Sequence, residues 1–277
     1  MDLLSNLLQH FSLNADVFFS GNLCGLHGFD DEDSCSGHLH LLKQGSLVVK
    51  DGKGYEKTLS EPSLIYFPRA HSHSLIADNG LGADLVCARI DYFGGQRSPI
   101  INALPSILEY PIESTGLLGQ SARWVFDEAF AERSGKTLVL NRLCDIFIVN
   151  VLRKLLEEGV FKEGMMAGLA NPQLAKVLVA IHAQPQDKWS LVKMAECCAM
   201  SRSKFSDLFK QVVGQTPLDY LTEWRITIAQ NLIAKQQNMD LVAHQVGYEN
   251  GSALARVFRK KIGCSPKAWL MASQSQA

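Results

Sequence analysis

No run in this chain approaches the roughly 20 uninterrupted apolar residues that a membrane helix needs, and the opening MDLLSNLLQHFSL has no basic stretch ahead of a long apolar core. Neither a signal peptide nor a bilayer span is therefore expected, and the expected location is the cytoplasm, with no membrane partner. The seven cysteines are an odd number and show no paired spacing, which argues for reduced thiols over a disulfide framework. No constellation of nucleophile, base and oxyanion donors can be found, so an enzyme is not expected. A net charge of -1 also lacks the excess of cations that a polyanion partner would call for, until the chain is divided.

At 277 residues, with 47% hydrophobic and 20% charged side chains, the chain has the composition of an ordinary globular protein long enough for two cores. Residues 172–277 hold 13 Lys and Arg against 7 Asp and Glu, whereas residues 1–171 hold 14 against 21. The halves are thus about +6 and -7, which suggests a basic module that meets a polyanion and an acidic module with another task.

The basic half contains a repeat. FKQVVGQTPLDYL, from Phe209 to Leu221, returns 49 positions later as FRKKIGCSPKAWL, from Phe258 to Leu270. Phe209, Gly214, Pro217, Tyr220 and Leu221 correspond at that one offset to Phe258, Gly263, Pro266, Trp269 and Leu270. Apolar residues recur at helical spacing around both copies, and Gly and Pro appear only as punctuation. Asn171-Pro172, Ser190, Ser201 and Asn250 suit helix starts, while Gly214 and Gly263 suit helix stops. The spacing predicts two helix-turn-helix units joined by one long helix over 218–234, with Ala195 and Ala243 letting the paired helices approach.

WSLVKMAECCAMSRSKFSDLFKQVVGQTPLDYLTEWRITIAQNLI, followed by LVAHQVGYENGSALARVFRKKIGCSPKAWL, resembles the AraC/XylS family of bacterial transcription regulators over about 100 residues. The resemblance implies two recognition helices entering successive major-groove segments roughly 34 Å apart. It also implies double-stranded promoter DNA and RNA polymerase as partners. Carried over position by position, the first reading surface falls on Ser203, Ser206 and Asp207, flanked by Arg202 and Lys204. The second falls on Gly251, Ser252, Ala255 and Arg256. The Arg256 fork matches two acceptors of guanine, and Lys210, Arg259, Lys260 and Lys261 are expected at phosphates.

The acidic half alternates in short runs. HLHLLKQGSLVVKDGKGYEKTLSEPSLIYFPRAHSHSLIAD predicts a meander of strands broken at Gly45, DGKG and Pro62. Gly45 before LVV, and Pro68 five residues before His73, resemble the cupin barrel that many regulators of this family carry as a ligand pocket. Cupin enzymes hold a metal with histidines and a carboxylate, and here His38 with His40, and His71 with His73, stand at the matching motifs. Alternate residues of a strand share one face, so His38, His40 and His73 admit a divalent metal. The carboxylate is missing from LLKQGS, however, and Gln44 is a poor substitute. The four histidines equally suit an organic effector, or simple packing.

Cys24 and Cys87 lie near positions matching the two reactive cysteines of a reactive-chlorine-responsive AraC-type activator, which makes an oxidant the rival signal. An inert core thiol is the alternative for each, and Cys35 stands in an acidic loop. TLVLNRLCDIFIVNVLRKLLEEG predicts an amphipathic helix, too interrupted to span a membrane. Leu143, Phe147, Val151 and Leu155 could pair two subunits into a homodimer or pack on their own barrel. VFKEGMMAGLAN, without a clear period, reads as a hinge. The expected fold class is α+β, with a cupin-like sensor domain over 1–136, a helix and linker over 137–170, and an all-α DNA-binding domain over 171–277. No cofactor is required by this reading.

Overall fold

The computed structural model describes residues 4, 13–29, 36–92, 99–113, 115–161 and 163–274. Cys35 lies outside the described residues. The chain forms two compact units that divide at Val160 and Phe161, and each is described by itself.

Strands of the N-terminal unit form two antiparallel sheets. In the first, β1 (Leu13–Leu23), β8 (Ala83–Tyr92), β3 (Gly37–Gly45), β6 (Ser63–Phe67) and β9 (Leu108–Pro111) pair in that order. In the second the order is β2 (Gly25–Phe29), β7 (His73–Ala77), β4 (Leu47–Lys50) and β5 (Glu56–Leu59). The meander is as expected, and DGKG closes β4 onto β5 with Lys50 opposite Glu56. Leu42, Ile65, Phe67, Leu85 and Cys87 of one sheet share a core with Leu47, Val49 and Leu75 of the other. The sheets thus face each other across apolar side chains, and among the described residues no hydrogen-bonded ladder joins them into one ring. The expected barrel is an open pair of sheets. Gly45 has φ +99°, and a Cβ there would lie 2.7 Å from the Gly82 carbonyl oxygen, so only glycine turns this corner without strain.

Three helices complete the unit: α1 (Pro99–Ala103), α2 (Gly116–Ala129) and α3 (Lys136–Glu157). The predicted amphipathic helix is α3, and its inward side chains belong to the sensor unit. Phe147, Val151 and Leu155 are buried, and α3 packs on α2 and β1. They are therefore not a free pairing face, and Leu143 is half-buried. What α3 leaves in solvent is Leu138, Val139 and Ile146, at 67%, 43% and 45% exposure. Its polar residues have their own task. Asp145 accepts from the Ala15 N–H at 2.7 Å and Asn141 from the Val17 N–H at 2.9 Å, which closes the outer edge of β1 against strand addition.

The C-terminal unit is helical throughout: α4 (Gly164–Ala170), α5 (Ala175–Ala183), α6 (Leu191–Cys197), α7 (Arg202–Val213), α8 (Pro217–Ala234), α9 (Met239–Gln245), α10 (Gly251–Ile262) and α11 (Pro266–Gln274). The segment expected as a hinge contains α4. A Cβ on its Gly168 would stand 2.7 Å from Leu178 Cδ1 and 2.9 Å from Val213 Cγ2, so this helix is docked on α5 and α7. Among the described residues no single helix is long and apolar enough to cross a membrane.

Caps fix the frame. Ser190 accepts from Lys193 N–H, Ser201 from Lys204 N–H and Asn250 from Ala253 N–H. Gly214 and Gly263 end α7 and α10 at φ 82° and 92°. Ala195 and Ala243 are buried where α6 meets α7 and α9 meets α10. Both helix-turn-helix units therefore form as the repeat requires, with α8 as the rod between them.

Candidate nucleic-acid interface and effector site

Each recognition helix buries one stripe and presents the other. In α7, Phe205, Phe209 and Val213 are buried, leaving Arg202, Ser203, Lys204, Asp207 and Lys210 exposed and Ser206 partly so. In α10, Leu254 and Phe258 are buried, and Ser252, Ala255, Arg256, Arg259 and Lys260 line one groove. None of Arg202, Lys204, Lys210, Arg256, Arg259 and Lys260 is held in an ion pair among the described residues. Unpaired cations on a helix face are free to replace counterions along phosphates.

Two expected contacts are corrected. Gly251 is buried, its N–H donates to Asp240 Oδ1 at 2.7 Å, and an added Cβ would lie 3.0 Å from that same oxygen. It lets α10 start close against α9 and is buried there, unlike Ser252 and Arg256. Lys261 points back to α8, 3.2 Å from Glu223 and 3.5 Å from Asp219. It is engaged within the module and unavailable to phosphate in this arrangement. The 49-residue repeat had no signal for either, because position 261 corresponds to Val212, an apolar residue of the first copy.

In the N-terminal unit His38, His40 and His73 are buried, and one ring nitrogen from each lies within 4.8 Å of the others. His38 and His40 come from one face of β3, and His73 opens β7 in the opposite sheet. His40 Nε2 and His73 Nε2 are 2.8 Å apart, and His73 Nδ1 is 2.6 Å from the His71 carbonyl oxygen. A carbonyl can only accept, so in the neutral state His73 carries its proton on Nδ1 and His40 donates to His73 Nε2. His40 Nδ1 is then a buried acceptor without a hydrogen-bond partner among the described residues.

Phe67 and Phe29 stack on His73 at 4.2 and 5.0 Å between ring centres. Burial is the main force on both rings, holding His40 well below the usual histidine range and bringing His73 to about 4. The rings are neutral at pH 7, the state in which imidazole ligates or hydrogen-bonds.

His71 is not part of this cluster. Its Nε2 is 3.2 Å from Asp51 Oδ2, and its ring stacks on Phe67 at 5.0 Å. Gln44 is exposed and donates to Asp84 at 2.7 Å, so it supplies nothing to the site. Among the described residues no carboxylate joins the three imidazoles.

The two cysteines are also not brought together. Cys87 is buried in the core shared by the sheets, and burial pushes its thiol up. Its register partner is Phe19, about 13 Å of strand before Leu23, where β1 ends and beyond which Cys24 lies. A disulfide spans a Cα separation of only about 4.4–6.8 Å. Cys24 is exposed, its thiol donating to Asn22 Oδ1 at 3.3 Å.

Comparison with known proteins follows this division. Residues 2–157 match the Cupin family and residues 194–272 the Helix-turn-helix domain family. The HTH-type transcriptional regulator AlkR of Acinetobacter baylyi is 27% identical over 96% of this chain and 98% of its own length. An AraC-like transcription regulator of Streptomyces lividans is 33% identical over 73% of this chain and 68% of its own. The RCS-specific HTH-type transcriptional activator RclR of Escherichia coli is 22% identical over 82% and 81%. A cupin domain ahead of paired helix-turn-helix units, together with the similarity to an AraC-like regulator over most of its length, places this chain in the AraC family of transcriptional regulators.

Proposed function

We propose that this regulator acts in the cytoplasm as a homodimer, that α7 and α10 read two segments of one promoter, and that the three-histidine pocket receives the signal. The observation that carries the reading is the pair of helices, each capped by a side-chain oxygen at its start and a left-handed glycine at its end, and each with unpaired Arg and Lys opposite a buried apolar stripe. RNA polymerase is the partner to which the bound protein reports, and no reaction chemistry is needed for this role. Arg256→Ala is expected to cost about 1–3 kcal/mol on the selected site and relax choice at one base pair. Lys260→Ala is expected to weaken all sequences alike and to lower the salt slope by about 0.9. Titrations at three salt concentrations on selected and random DNA check both. Equal losses on both DNAs for Arg256→Ala would remove α10 as a reader.

Self-association is assigned to the outer face of α3, where Leu138, Val139 and Ile146 are exposed, and not to its buried side. Ile146→Glu is expected to halve the sedimenting mass of the protein without unfolding it. An unchanged mass would place the dimer contact elsewhere. Two linked modules bind the second site at high effective concentration, so the monomeric variant also loses DNA affinity.

For the pocket, three imidazoles and no carboxylate suit a divalent ion that prefers nitrogen, such as zinc, nickel or copper. His38, His40 and His73 would hold it, and the His73 Nδ1–H bond to the His71 carbonyl would orient one ligand ring. The ion would supply differential affinity between two states of the sensor unit; a few kcal/mol is enough to switch occupancy.

A further inference from the structure

Arg225, in the middle of α8, touches both helix-turn-helix units. Its Nε donates to the Pro185 carbonyl at 2.8 Å and its Nη2 to the Asp187 carbonyl at 2.9 Å. Those carbonyls belong to the turn that feeds α6, the first helix of the first unit. The same turn is tied to α6 by Lys193, whose Nζ is 3.0 Å from Asp187 Oδ2. The guanidinium also lies 5.6 Å from the ring centre of Tyr248, in the turn of the second unit.

That second turn is built on Gly247 at φ +84°, with the Tyr248 N–H donating to the Ala243 carbonyl at 2.8 Å. A Cβ on Gly247 would stand 2.7 Å from Arg225 Nη2 and 2.9 Å from the Gln186 Cα. The turn of one unit, the entry turn of the other and a cation from the rod therefore meet at one point. Apolar packing along α8 tolerates sliding, whereas a planar fork donating to two carbonyls of a single turn is directional. A guanidinium half-withdrawn from water is costly unless those bonds are kept.

We propose that Arg225 is a positioning residue that fixes the offset between α7 and α10, and thereby the spacing of the two DNA segments that the protein accepts. The proposal rests on the reading of α7 and α10 as paired DNA readers. It is tested with the full chain on DNA that the wild type selects from a random pool, and on derivatives whose spacer is lengthened or shortened by one or two base pairs.

Each base pair of spacer change is expected to cost the wild type about tenfold in affinity, and Arg225→Met less than about threefold, on the scale of a mismatched base pair. Arg225→Lys, which keeps the charge and loses the fork, should resemble the Met variant. A purely stabilising role would lower the active fraction on every DNA and leave the ratio between spacers unchanged, and that outcome overturns the proposal. Should Arg225→Met fail to fold, Gly247→Ala, which presses on the same meeting point, must flatten the spacer preference; an unaltered preference there also overturns it. A wild type that selects no sequence at all would fail earlier, at the DNA reading itself.

Discussion

Lowering the pH from 7 to about 4.5 is expected to destabilise the metal-free N-terminal unit by about 2.4 kcal/mol through His73, with His40 adding in the same direction. Burial brings the His73 pKa from the ordinary 6.5 to about 4 and holds His40 well below the ordinary value. In the unfolded chain both rings take up a proton near pH 6.5; in the folded unit they stay neutral below that. The unfolded state thus binds more protons throughout this window. The stability at stake is complete above pH 6.5 and is lost as the pH falls toward 4.

Urea unfolding at pH 7 and pH 4.5, followed by circular dichroism, measures the effect. The double variant His40→Gln, His73→Gln should lose this part of the acid sensitivity, because a neutral amide does not titrate. Equal stability of the wild type at both values would mean that the rings are solvated and the pocket open. Zinc or nickel at about 100 times its Kd should raise stability near pH 7 by about 2.7 kcal/mol. That protection should disappear in the double variant and weaken on acidification, since protons compete for the same nitrogens.

Phe258→Ala is expected to cost about 3–5 kcal/mol of the stability of the C-terminal unit, the range for removing a fully buried phenyl ring. Phe258 is fully buried under α10 and meets Trp269 edge-on at 6.0 Å between ring centres. A domain of this size has only about 5–15 kcal/mol to lose. The second helix-turn-helix unit should therefore loosen or unfold near 37 °C, and specific DNA binding should go with it. Lys260→Ala, two residues along the same helix, changes an exposed side chain and should leave the unfolding midpoint within about 0.5 kcal/mol of wild type. Denaturant titration of both variants separates packing from contact. A Phe258→Ala loss below about 1 kcal/mol would mean that the site collapses around the deletion, contrary to the close packing described above.

The C-terminal fold was legible because its rules are local. Ser190, Ser201, Asn250, Gly214 and Gly263 each act on the backbone within a few residues, and the repeat states the rule twice. The N-terminal strands were legible by the same kind of signal, through Gly45, DGKG and the H-x-H alternation. What escaped depends on the far side of a residue. Phe147, Val151 and Leu155 have the same apolar period as any pairing helix, and only the position of α2 and β1 shows that they face inward. His71 and His73 are equivalent in sequence, yet β7 turns one into the buried cluster of three imidazoles while Asp51 holds the other.

Gly251 looks like an open reading position until Asp240 is seen across from it, and Lys261 looks like its neighbour Lys260 until Glu223 is in place. Arg225 stands within the stretch that resembles the family, but its role was not legible there, since its partners are backbone carbonyls 38 and 40 residues away. Nor does the sequence pattern around Cys24 and Cys87 tell that one thiol is exposed and the other buried, because that depends on strand register and on the facing sheet.

The central claim is that α7 and α10 of one chain occupy successive major-groove segments on one face of the duplex. Guanine-N7 methylation interference on the DNA selected by the wild type addresses it most directly. Two clusters of interfering guanines about 10 base pairs apart are expected for each protein chain, with the one nearer α10 disappearing in Arg256→Ala. A single cluster per chain, or interference spread evenly along the duplex, would contradict it.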